Sequence, residues 1–278
     1  MKWKIFIITH GPIVEKYYEN DILFSNDHFT FFNVSNTAIQ HDKFDILNKS
    51  EISDFIHLGK WYAEAEVIYN IYKSGLYKDY DYIGFIHWDY ELKSINTIIN
   101  YNISESIGKE ILRGTPFISF SSYNFESIYN QKIMLDETYP NTKIGNGKNC
   151  FDTILAEFNS YYKSDTTIAS LMNSRINLCS AFLCSRDIFV DLMGFYTNII
   201  EKKYIEKFDT LHKYRFQGGL LERYIGCYST KFSFKEIELI HHYNHAKEMN
   251  KGQFFQAKVN RLKYKIKTSL TVLFKSNQ

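Results

Sequence analysis

Tyr80-Asp81-Tyr82-Ile83-Gly84-Phe85-Ile86-His87-Trp88-Asp89-Tyr90-Glu91-Leu92 is the stretch whose reading decides the fold. Its middle, Tyr82–Ile86, is short, apolar, aromatic and β-branched, and it is entered from a Lys/Asp/Tyr turn. Such a run predicts a buried strand rather than a helix. A strand buried on both faces belongs in the centre of a mainly parallel sheet. The apolar run ends at His87, and two carboxylates, Asp89 and Glu91, follow two residues apart. In open α/β sheets the carboxyl ends of the strands are where ligands bind. In extended chain, residues i and i+2 face the same side, so Asp89 and Glu91 are placed to converge on one hard divalent cation. The alternative is a solvated turn after the strand.

The flanking segments alternate strand and helix. Lys4–Thr9 is a buried-strand run broken by His10-Gly11-Pro12, a first strand and Gly-containing loop of the kind that opens many nucleotide-binding sheets. No GxGxxG or GxxxxGK[ST] is present, which removes support for dinucleotide and P-loop readings. His28–Val34 reads as a second strand and Ser35–Ser53 as a long loop. Trp61, Ala65, Ile68 and Tyr72 form one helical stripe, with Ser53 or Asp54 as its cap and Gly75 past its end; Lys60, Glu64 and Glu66 read as its solvated face. Further helices are expected over Ile95–Leu112, Phe151–Tyr162, from Ser185 along Phe189, Leu192, Met193, Tyr196, Ile199 and Ile200, and from Gln217-Gly218-Gly219 along Leu220, Leu221, Tyr224 and Ile225. Strands are expected over Thr115–Phe120, Asn177–Cys184 and Phe232–Ile237, with an irregular polar segment over 121–150. Together these give an α/β fold with a mixed, mainly parallel central sheet flanked by helices.

Composition narrows the function classes. Of 278 residues, 45% are hydrophobic, 17% aromatic and only 3 are Pro, so the chain folds. A formal net charge of +2 argues against a nucleic-acid binder. No run reaches the roughly 18 apolar residues of a membrane span, and Met1-Lys2-Trp3-Lys4 runs straight into a strand without a signal-peptide pattern. The cysteines Cys150, Cys179, Cys184 and Cys227 form no CxxC pair and read as reduced thiols of a cytoplasmic protein. After Glu248 no acidic residue occurs, while residues 251–278 hold seven basic ones. There Phe255, Val259, Leu262, Ile266, Leu270 and Leu273 share one stripe. A basic amphipathic helix reads as a peripheral anchor on anionic lipid; packing on its own domain or on a second subunit is the alternative.

A strand ending in Asp-x-Asp or Asp-x-Glu resembles the signature of nucleotide-sugar-dependent glycosyltransferases of the GT-A fold. The order of segments resembles small bacterial members that build capsule and lipopolysaccharide. The resemblance implies a GT-A-like domain over residues 1–250 with a basic tail, 251–278. It implies a nucleotide-diphosphate-sugar donor whose diphosphate is held through Mn²⁺ or Mg²⁺ by Asp89 and Glu91. It places Thr9, His10 and Gly11 against the donor's base and ribose, with His57, Gly59 and Lys60 nearby. Residues 121–150 would face a surface-glycan acceptor, lipid-linked or otherwise membrane-held, with Asn177 and Ser180 toward sugar hydroxyls. Gln217–Tyr224 carries a Glu-Arg pair that matches the group, which makes Glu222 the base if the reaction inverts; an Arg partner for Glu222 is the structural alternative. The late cluster His241-His242-Tyr243-Asn244-His245 sits where such enzymes complete the metal shell, so His242 and His245 are candidate ligands. It lacks the glutamate of HExxH. Rival readings are a metal-dependent phosphoesterase and a non-catalytic glycan- or nucleotide-binding module.

Overall fold

The computed structural model of the chain describes residues 1–18, 26–59, 62, 64–94, 102–129, 150–203 and 216–242. In chain order the elements are β1 (Trp3–Thr9), β2 (Phe29–Asn33), β3 (Ile46–Asn48), α1 (Glu64–Lys73), β4 (Tyr82–His87), β5 (Tyr90–Ser94), α2 (Ile103–Leu112), β6 (Phe117–Ser119), β7 (Ser122–Asn124) and α3 (Phe125–Tyr129). There follow α4 (Cys150–Tyr162), α5 (Ile168–Leu171), β8 (Arg175–Asn177), β9 (Phe182–Ser185), α6 (Arg186–Glu201), α7 (Phe216–Ser229), β10 (Lys235–Glu236) and β11 (Leu239–His241). The chain divides into two compact units, Met1–Ile240 and His241–Gln278. Of the second, only His241 and His242 are described.

Seven strands form one sheet in the order β10-β6-β9-β4-β1-β2-β3. β9 runs antiparallel to both its neighbours and the other pairings are parallel. The sheet is therefore mixed and mainly parallel, as the sequence predicts, with β4 at its centre. Every residue of β1 and β4 is buried, and alternation divides them between two cores. Phe6, Ile8, Ile83 and Phe85 pack with α1, α4, α6 and α7. Ile5, Ile7, Tyr82 and Ile86 pack with Tyr18, Phe44, Tyr90 and α2. Close packing leaves no room at Gly84: a Cβ there would stand 2.6 Å from the Phe182 carbonyl oxygen and 2.9 Å from Leu183 Cδ1. Sequence alone makes Gly84 a weak point in a strand; here it is what lets β9 approach β4.

Local structure departs from expectation in several places, one being the segment expected to be irregular over 121–150, which opens with β7 and α3. The Ser35–Ser53 segment is not a plain loop. It carries β3, which extends the sheet by pairing with β2. The helix after it begins at Glu64 rather than near Ser53 or Asp54. Asp54 has a left-handed φ of 61°, and the chain beyond it folds back on the helix. There Glu66 accepts hydrogen bonds from the Leu58 and Gly59 amides (2.7 and 3.2 Å), and Asn70 holds the Ile56 backbone from both sides. Gly75, with φ 77°, ends the helix as expected. The run Asn177–Cys184 is two short strands, not one. Between them Cys179 and Ser180 hold positive φ values of 60° and 46°, a costly pair for non-glycine residues. Asn177, fully buried, locks this corner by donating to Ser119 Oγ (2.7 Å) and the Ala181 carbonyl (2.6 Å). Its amide nitrogen is thus engaged by the protein itself.

Candidate active site

The sheet order has a consequence for function. From β1 the chain steps outward through β2 and β3, then returns to β4 on the other side of β1. The carboxyl ends of β1 and β4 therefore flank a topological switch point, where open α/β sheets bind ligands. The two strands pair from Trp3↔Tyr82 to Ile8↔His87, and the Trp88 amide then donates to the Ile8 carbonyl (2.9 Å). This brings the loop after β1 beside the turn after β4.

Residues from three further directions converge there. His87, the last residue of β4, and Glu64, the first of α1, are both buried, and Glu222 of α7 is half-buried. One ligating atom from each lies within 4.8 Å of the others. His87 Nδ1 is 3.9 Å from Glu64 Oε1. His10, in the loop after β1, brings its Nε2 to 3.4 Å from the same oxygen, with its own side chain 45% exposed. The cluster thus has a buried floor and an open rim.

Asp89 borders the same place. The chain turns at Trp88–Asp89 before β5 starts at Tyr90, so Asp89 is not in extended chain as the i, i+2 argument assumes. The turn is pinned by the buried Tyr18, whose hydroxyl donates to the Trp88 carbonyl (2.7 Å). Asp89 is buried and Glu91, on β5, half-buried. Burial, then Asp89, then Glu91 raise the Tyr17 hydroxyl above its ordinary pKa, so the fields of the two carboxylates overlap there. The sulfur of Cys179 links Asp89 to Glu222. Its burial, then Glu222, and further on Asp89, push the thiol up to about 12 against hydrogen bonds from Tyr90 and Ser121. Tyr196 of α6 lies fully buried below. Burial, then Glu222, then Glu64 push its hydroxyl well up.

The remaining candidates from the sequence fall out as follows. Thr9 is fully buried, and its hydroxyl donates to the Gly11 carbonyl (2.7 Å), so it shapes the loop from within. Open space surrounds Gly11. His57 is 66% exposed, 3.7 Å from Glu66, and apart from the cluster in hydrogen-bonding terms. Lys60 and His245 lie outside the described residues, as does Arg215, the arginine that precedes α7. His242 is described only within the second unit. Glu64 and His87 are the members that sequence reasoning missed. Their signals are visible in retrospect. Glu64 precedes Val67, Ile68 and Ile71 by three, four and seven residues, so it continues the buried stripe of α1. His87 is the last residue of the buried strand, not the first of the loop.

No known protein-family model matches the sequence, and no curated protein does. Among solved structures, the chain is similar to the apo structure of WbbM, a bifunctional glycosyltransferase, with 16% identity and a TM-score of 0.56. The match covers 86% of this chain and 45% of WbbM, so the chain spans under half the length of that protein. Fainter likenesses are to the mannosyltransferase Ktr4p of S. cerevisiae in complex with GDP (10% identity, TM-score 0.45, 87% of this chain and 71% of that one) and to mouse xyloside xylosyltransferase 1 (10%, 0.38, 85% and 84%). At these identities what is shared is architecture: the chain has an α/β fold like that of the WbbM glycosyltransferase, with its candidate site at the switch point of the sheet.

Proposed function

We propose that the chain is a glycosyltransferase that moves a sugar from a nucleotide-diphosphate-sugar donor to a hydroxyl of a surface-glycan acceptor. The observation that carries this is the convergence of Glu64, His87, Glu222 and His10 at the carboxyl ends of β1 and β4, with Asp89 in the turn that follows β4, in a fold like that of a known transferase. The Thr9–Gly11 loop, with His57 and Lys60, receives the base and ribose. Asp89 and Glu91 present carboxylate oxygens, the donor class that Mn²⁺ and Mg²⁺ take. When bound, such an ion neutralises charge on the departing nucleoside diphosphate. The acceptor oxygen forms its bond to the anomeric carbon as the bond from that carbon to the phosphate oxygen breaks. The electron pair leaves with the diphosphate, and where the reaction inverts the acceptor proton goes to Glu222 as general base; a retaining reaction leaves Glu222 a positioning residue. The 251–278 segment holds the enzyme against an anionic membrane or a second subunit, near a lipid-linked acceptor.

The test is nucleotide-dependent stability. At about 100 times Kd, a ligand of the folded state adds roughly 2.7 kcal/mol, or about 5–10 °C in Tm at this chain size. UDP or GDP with Mn²⁺ is expected to give such a shift in the wild type, and Asp89→Asn and Glu91→Gln each to abolish it with the fold intact. Unchanged metal-dependent binding in both variants removes the reading.

A further inference from the structure

We propose that Glu64, His87 and Glu222 form a binding site for a divalent transition-metal ion, separate from the Asp89–Glu91 pair. The three come from different elements, α1, β4 and α7, and two of them are buried on regular structure that fixes their position. Metal–oxygen and metal–nitrogen bonds of about 2.0–2.2 Å place neighbouring ligand atoms roughly 3–3.5 Å apart. The ligating atoms here already lie within 4.8 Å of one another, His87 Nδ1 is 3.9 Å from Glu64 Oε1, and His10 Nε2 is 3.4 Å from it. Small side-chain rotations bring the three onto one ion, and His10, in contact with Glu64 at the exposed rim, stands beside the site.

A second observation comes from α6. The Tyr196 hydroxyl is fully buried and has no hydrogen-bond partner among the described residues, and the carboxylates of Glu222 and Glu64 are the charges that act on it most. Buried hydroxyls are normally partnered. A water or hydroxide carried by an ion at the cluster is the kind of group that would satisfy this one.

The donor set selects the class of ion. Two carboxylates with one or two imidazoles suit Zn²⁺, Co²⁺ or Mn²⁺, whereas Mg²⁺ and Ca²⁺ prefer oxygen alone. The binding claim stands apart from the transferase reading. On that reading it carries a consequence: an ion here holds the lone pair with which Glu222 takes the acceptor proton. Zn²⁺ then opposes turnover, while Mg²⁺ at Asp89 and Glu91 supports it.

The experiment is a calorimetric titration of the full chain with Zn²⁺ in saturating Mg²⁺. One equivalent is expected to bind. Glu64→Gln and His87→Asn should each weaken it by more than the roughly 10–100-fold that an outer partner costs. Asp89→Asn, and His242→Asn with His245→Asn, should leave it in place. The proposal is overturned if the wild type binds no Zn²⁺ in Mg²⁺, if the Glu64 and His87 variants bind it normally, or if the Asp89 or late-histidine substitutions remove it. Where Glu64→Gln or His87→Asn does not fold, Co²⁺ decides with the other chains. Visible bands that saturate at one equivalent, yield to Zn²⁺ and survive the late-histidine substitutions support the site; their absence overturns it. Zn²⁺ binding without any nucleotide-dependent stabilisation leaves this site standing and removes the transferase reading.

Discussion

Gly84→Ala places one methyl group where the sheet has no space. The added carbon would meet the Phe182 carbonyl oxygen at 2.6 Å, Leu183 Cδ1 at 2.9 Å and Ile5 Cγ1 at 3.1 Å. The first of these is backbone, held by the β4–β9 ladder from Tyr82↔Ser185 to Phe85↔Phe182, so a side-chain rotation cannot relieve it. Overpacking of this kind costs typically 1–3 kcal/mol, and a clash with backbone belongs at the upper end. The alanine recovers about 0.4–1 kcal/mol by restricting the unfolded chain. The net loss is about 2 kcal/mol, which corresponds to a Tm lower by roughly 4–8 °C. Urea denaturation followed by circular dichroism measures it, with an unchanged m-value. Gly108→Ala is the internal control. It lies in α2 with nothing within 4 Å of a Cβ, so it should stabilise by up to about 1 kcal/mol. A loss below about 0.5 kcal/mol for Gly84→Ala, or equal changes in the two variants, refutes the close β4–β9 approach.

Glu222→Gln should lower kcat far more than donor affinity, since a base acts in the transition state; near-normal turnover at saturating substrates makes Glu222 structural. Alkali should destabilise the fold through its buried thiols. Burial raises Cys150 from 9.0 to about 11 and lifts Cys184 and Cys227 as well, so above pH 9 the unfolded chain releases protons that the folded one keeps. Stability is then full below pH 9 and falls by up to about 1.4 kcal/mol per pH unit per thiol toward pH 11; a urea midpoint that is the same at pH 8 and pH 10 contradicts the burial. Deleting residues 251–278 should release the protein from anionic vesicles at low salt while sparing activity on a soluble acceptor, because basic residues near such a surface contribute roughly 1 kcal/mol each. Co-sedimentation checks this, and a full-length chain that stays in the supernatant refutes the membrane role.

What the sequence disclosed followed from periodicity and burial. The β4 run reads as a central strand because only a strand covered on both faces tolerates Tyr82-Ile83-Gly84-Phe85-Ile86. The α6 stripe reads correctly because its six apolar residues repeat at helical spacing, and all six are buried. Short elements were hidden. β3 and β10 span three and two residues, too few for a pattern, and they exist because a neighbouring strand is there to pair with. The break between β8 and β9 was hidden because Cys179 and Ser180, residues with no special turn preference, hold left-handed backbone under tertiary constraint. At the candidate site, His10 was visible as a polar residue just past a strand and Glu222 through the Glu-Arg pair of its helix. Glu64 was not, since an acidic residue in a helical first turn reads as solvated until the packing of α6 and α7 is known.

The position of β9 bears on how the chain is made. β4 is synthesised about a hundred residues before the strand that covers its far edge. During that interval β1, β2 and β3 can assemble on one side, while Tyr82–His87 offers an apolar row of unpaired amides and carbonyls on the other. At roughly 5–20 residues per second the interval lasts on the order of 5–20 s, long beside the formation of local structure. The same strand that later carries His87 to the candidate site is thus an adhesive surface on the nascent chain, and β9, inserted antiparallel between β4 and β6, is the late-arriving piece that closes it.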